Sequence, residues 1–123
     1  ILTNFLVQTA SFHDYGRDPE LFYHTMMAVL FSCSGDWDVL SNRESGSGRP
    51  DLILSMNNRA AVIEIKRCSN PEKLREMLKK GLAQIENNNY HATLCKSCNI
   101  VDLWCFSFSR KQCLAACRRI PAE

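Results

Sequence analysis

The chain has 123 residues, 46% of them apolar, which suits one domain built on a single core. Its 15 basic and 13 acidic side chains leave a formal charge of only +2, so a broadly basic, nucleic-acid-coating protein is excluded and any basic surface must be local. No apolar run is long enough to span a bilayer and no charged-then-apolar leader opens the chain, so no membrane role is expected.

The chain begins with Ile1, as expected of a piece of a longer or processed protein. Residues 1–17 carry no clean period; Ile1, Leu2, Phe5, Leu6 and Val7 suit either a helical turn packed on the domain or part of an upstream element. The domain itself is expected over 18–123. Asp18-Pro19-Glu20 opens its first helix, with a capping carboxylate, a proline suited to the first helical position and an acid at the positive end. Leu21, Phe22, Met26, Val29 and Leu30 form the expected apolar face, and Ser34-Gly35 ends the helix.

A strand follows over 36–42, and the Gly46/Gly48 cluster turns the chain into a second strand at about Leu52 to Met56. Asn57-Asn58 predicts a tight hairpin into a third strand, Ala60 to Lys66. Three antiparallel strands in succession make a meander. Ser69-Asn70-Pro71-Glu72 starts a second helix, whose apolar stripe is Leu74, Met77, Leu78, Leu82 and Ile85. Ile100 to Phe108 reads as a strand, and Ser109-Arg110-Lys111 as a turn into a last strand or short helix.

Within the third strand the charges are out of place. Side chains alternate between the faces of a strand, so Glu64 and Lys66 share one face while Ile63 and Ile65 take the other. Removing two ions from water costs several kcal/mol each in rough terms unless they are paired or bind a metal. Asp51 heads the neighbouring strand, directly after Pro50.

Pro50-Asp51 with Glu64-Ile65-Lys66 resembles the PD-(D/E)XK nuclease superfamily, of restriction-endonuclease-like fold. More narrowly, Glu20-Leu21-Phe22-Tyr23-His24, the run from Asn42 to Asp51 and Gln84-Ile85 are similar to the branch often found at the C-terminal end of AAA-type ATPase-like proteins. The resemblance runs from about Asp18 to Lys111. It implies an α/β fold with an αβββαβ core, a mixed sheet flanked by helices, in which the strand after the second helix lies beside the third strand through a right-handed crossover.

The resemblance also implies metal-assisted hydrolysis of nucleic-acid phosphodiester bonds, with DNA favoured. Asp51 and Glu64 would hold Mg²⁺ or Mn²⁺ together with the backbone carbonyl of Ile65 and waters, and Lys66 would orient or deprotonate a water and bind phosphate. Gln84 and Tyr90 correspond to the Gln and Tyr of a helix motif in exonuclease-like branches. Glu20 matches the helix glutamate that reaches the site, although a first-turn dipole role suits it nearly as well. Glu44 and Arg49 fall where the family keeps a glutamate and an arginine, for site assistance and phosphate binding; hairpin-tip residues in water are an equal reading. Homodimers are common among such nucleases, and an upstream ATPase-like domain is the expected neighbour.

Seven cysteines, an odd number, fit reduced thiols and an intracellular setting better than a secreted disulfide framework. Cys95 and Cys98, followed by Cys113 and Cys117, also have spacings that a zinc site can use. Two alternatives therefore stand beside the enzyme: a catalytically silent nuclease fold binding nucleic acid or a protein, and a zinc-stabilised interaction module.

Overall fold

The computed structural model describes residues 19–33, 35–41, 50–88 and 98–121. Helix α1 (Pro19–Cys33) precedes strands β1 (Asp38–Ser41), β2 (Leu52–Met56) and β3 (Arg59–Arg67). A 3₁₀ turn (Pro71–Lys73) leads into helix α2 (Leu74–Asn88), followed by β4 (Ile100–Ser109) and β5 (Gln112–Pro121). The strands form one sheet in the order β1-β2-β3-β4-β5, antiparallel throughout except for the parallel pair β3 and β4. This is the mixed α/β sheet with two helices that the sequence predicts, extended by β5. Among the described residues no helix is long and apolar enough to cross a membrane.

Local chemistry accounts for the turns. Asn57 takes φ 55° at the β2–β3 hairpin, a left-handed conformation that asparagine tolerates well. Arg110 takes φ 53° between β4 and β5, and its carbonyl accepts a 2.7 Å hydrogen bond from the Tyr23 hydroxyl, which ties α1 to that turn. Before α2, the Asn70 side chain accepts from the Glu72 N–H at 3.0 Å, capping the 3₁₀ turn that Pro71 begins.

The alternation of β3 divides the core into two layers. Leu52, Leu54, Ile63, Ile65, Phe106 and Phe108 pack under α1, where Tyr23 stacks on Phe108 with ring centres 4.4 Å apart. Ala60, Val62, Val101 and Leu103 pack under α2 against Ile85. The α1 contact face differs from the expected one. Tyr23 and Met27 are buried, whereas Leu21 and Val29 are 44% and 55% exposed. The helix is apolar nearly all round, so periodicity could not select a face; the choice follows from the ring stack on Phe108 and the hydroxyl bond to Arg110.

On the α2 side, Ser107 is buried and its hydroxyl donates to the Leu74 carbonyl at 2.9 Å, fixing the start of α2 to β4. At the far end of α2, Arg118 of β5 hydrogen-bonds Glu86. The helix is thus held at both ends over β3, β4 and β5.

Candidate active site

Strand β3 outruns β2. The last β2 rung pairs Leu52 with Ile63, while β4 accompanies β3 as far as Arg67. Pro50 has no N–H with which to extend the ladder. The backbone N–H of Ile65 instead donates to Asp51 Oδ2 at 2.8 Å, so a side chain supplies the missing rung. That bond fixes the Asp51 carboxylate on the backbone between Glu64 and Lys66.

Glu64 lies on the α2 face at 4% exposure, with Cys105 as its β4 rung partner. Lys66 follows on the same face at the edge of the core. Its ammonium donates to Gln84 Oε1 at 2.5 Å. That bond ties the lysine to α2. The helix comes this close because of Gly81. A Cβ there would stand 2.2 Å from Cys105 Sγ, 3.2 Å from Cys105 Cβ and 3.4 Å from Lys66 Cγ. Lysine only donates, so Gln84 must turn its oxygen inward and keeps both amide hydrogens for another acceptor.

Cys105 senses the electrostatics of this corner. Burial, reinforced by the Glu64 and Asp51 carboxylates and opposed by Lys66, pushes its thiol from 9.0 to about 12. The raised value favours the neutral thiol in the fold. Its stabilisation is fully present below the ordinary thiol range and is lost as pH rises through about 12. In the folded protein at pH 8, Cys105 should resist alkylation while exposed Cys33 reacts. Mass spectrometry of iodoacetamide-treated protein checks this; rapid labelling of Cys105 without unfolding contradicts it.

On the opposite side of Asp51 stands His24 of α1, buried to 4% exposure, with Nδ1 4.0 Å from Asp51 Oδ1. Asp51 therefore has one oxygen on the Ile65 N–H and the other toward an imidazole. Gly81 is a neighbour of the site that residue-by-residue reading does not single out, and His24 enters that reading only as the last residue of the run from Glu20, with no role at the site.

The fold brings together Asp51, Glu64, Ile65, Lys66 and Gln84. Glu20 lies in the first turn of α1, and its side chain is outside the described residues, as are Glu44, Arg49 and Tyr90.

Among the described residues no group of three or more His, Cys, Asp and Glu side chains is placed to hold a metal. A protein-only cage of the zinc type is therefore not built from them. The cysteines explain why. Cys98 packs on the α2-side core and Cys113 on the α1-side core. Cys113 and Cys117 are four residues apart on β5, about 13 Å along a strand. Cys95 lies outside the described residues. Two carboxylates, one of them buried, fit a different kind of ion. Mg²⁺ and Mn²⁺ take hard oxygen donors, and Mg²⁺ commonly binds one or two carboxylates while keeping several waters. Asp51 and Glu64 match that donor set, and the Ile65 carbonyl lies on the strand edge beyond the last β2 rung.

A family model described as the PD-(D/E)XK nuclease superfamily matches residues 18–116. Among curated proteins, none matches the chain.

Proposed function

The chain belongs to the PD-(D/E)XK nuclease superfamily, and from that premise we propose that it is a metal-dependent nuclease that hydrolyses phosphodiester bonds, with DNA the favoured substrate. The observation that carries the proposal is the 2.8 Å bond from the Ile65 N–H to Asp51, which holds that carboxylate beside Glu64 and the Gln84-bound Lys66.

Each residue has a task that follows from its surroundings. Asp51 and Glu64 hold the cation, with the Ile65 carbonyl as a third oxygen. When bound, Mg²⁺ or Mn²⁺ supplies a lowered pKa for a coordinated water and offsets negative charge on the phosphate. Two carboxylates would otherwise repel a phosphodiester, so the anionic corner accounts for the need for a cation. Lys66 meets a phosphate oxygen and orients the attacking water, and its bond to Gln84 fixes the position of the ammonium. The Gln84 amide hydrogens supply a second donor to the phosphate or the water. Glu44, Arg49 and Tyr90 are assigned to substrate binding and Glu20 to support of the metal corner.

The proposal is tested by incubating the protein with linear and circular, single- and double-stranded DNA and RNA, with Mg²⁺, with Mn²⁺ and with chelator. Cleavage of DNA in the presence of metal and none with chelator is expected. Folded protein that cuts no substrate under any of these conditions would overturn it. Cutting of circular molecules identifies an endonuclease, and dependence on an end identifies an exonuclease.

A further inference from the structure

A second concavity lies on the opposite face of the sheet, at the other end of β3 and β4. It measures about 400 Å³ and is walled by Phe31 of α1 and by Trp37, with Trp104 and Phe106 as its floor. Alternation along β4 places Asp102, Trp104 and Phe106 on this face, while Cys105 and Ser107 face α2. The two rings stack on one another, 14° apart with centres 5.6 Å apart, so Trp104 offers a ligand only the face turned away from Phe106. Across the ladders their partners on β5 are Cys117 and Ala115, both small, and of the two rings Phe106 is buried in the α1-side core. Trp104 remains partly exposed.

The open end of the cleft carries charge. Asp102 accepts two hydrogen bonds from Arg119, at 2.8 and 3.2 Å, and Arg59 stands 4.0 Å from the same carboxylate. Two guanidinium groups share one carboxylate, so the rim keeps a net positive charge. Arg59, half exposed and held only loosely, is the cation available to a ligand. Volume, apolar walls and a few convergent polar groups are the features of a small-molecule site.

We infer that this cleft binds a nucleoside phosphate, its base stacked on Trp104 and its phosphate at Arg59. The aromatic floor selects a planar ring, and the net positive rim selects an anion attached to it. An uncharged aromatic side chain of another protein would leave the rim charge unanswered. The ligand is either a free nucleotide or one unit of a single strand. The inference stands whether or not the Asp51 site cleaves.

The chain offers its own reporter, because both of its tryptophans, Trp37 and Trp104, line the cleft. Tryptophan fluorescence is titrated, in chelator, with adenosine 5′-monophosphate, adenosine and a short single-stranded oligodeoxyadenylate. Saturable quenching by the monophosphate is expected, with affinity lowered about tenfold for adenosine and for Arg59→Ala, the weight of one charge-assisted contact. Trp104→Phe should keep the binding and lose much of the signal. Tighter quenching by the oligonucleotide than by the monophosphate identifies a strand as the source, and the reverse identifies a free nucleotide. No saturable change with any of the three, or an unchanged affinity in folded Arg59→Ala, overturns the inference.

Discussion

Replacing Asp51 with asparagine, or Glu64 with glutamine, is expected to remove the stabilisation that Mg²⁺ or Mn²⁺ gives the folded protein and to lower cleavage at least about a hundredfold. Either change keeps the side-chain volume and removes a hard anionic ligand. In the unaltered protein, metal at a hundredfold excess over its Kd should add about 2.7 kcal/mol, roughly 10 °C in melting temperature for a domain of this size. The two positions should not behave alike without metal. Asparagine at 51 can still accept from the Ile65 N–H through its amide oxygen, so the strand end stays in place. Melting curves with and without Mn²⁺ check the result, and a metal-induced shift undiminished in both variants contradicts it.

The second large effect is expected at Gly81, three residues before Gln84 on α2. Alanine has the higher helix propensity, by about 1 kcal/mol, so on propensity alone the exchange would stabilise α2. The added Cβ would lie 2.2 Å from Cys105 Sγ, well inside van der Waals contact, and Cys105 is fully buried with little room to turn aside. Overpacking of this kind typically costs about 1–3 kcal/mol, and here it should outweigh propensity. Lifting α2 off the sheet also draws Gln84 away from Lys66, so cleavage should fall about tenfold or more, as for a misplaced positioning group. In Gly81→Ala/Cys105→Ala the sulfur is gone and most of both losses should be recovered. Chemical denaturation of the two single variants and the double variant measures the coupling; purely additive losses would show that the Gly81–Cys105 contact does not set the height of the helix.

Much of this arrangement is legible in the chain because its signals are local. Pro19 at the head of α1, the Asn57-Asn58 hairpin and the Asn70 cap with Pro71 are turn and terminus chemistry, decided within a few residues. The face carrying Glu64 and Lys66 follows from simple alternation. Less local features are harder to read. The contact face of α1 is chosen by Phe108 and Arg110, more than 80 residues away. The run from Cys113 to Arg119 has no clean period, and its strand conformation follows from ten rungs of pairing with β4. The bond from Lys66 to Gln84 exists only once α2 has docked through Gly81. The place of His24 beside Asp51 likewise exists only once α1 lies on the sheet.

The corner of Asp51, Glu64 and Lys66 divides its work between holding a cation and handling the phosphate and water. The most direct test is to measure cleavage rate and metal-induced melting shift on the same sample of Lys66→Ala. The expected result is a nearly unchanged melting shift with cleavage reduced by about 10²–10³-fold, the usual loss of a charge-stabilising donor. A variant that cuts as fast as the unaltered protein would contradict the account.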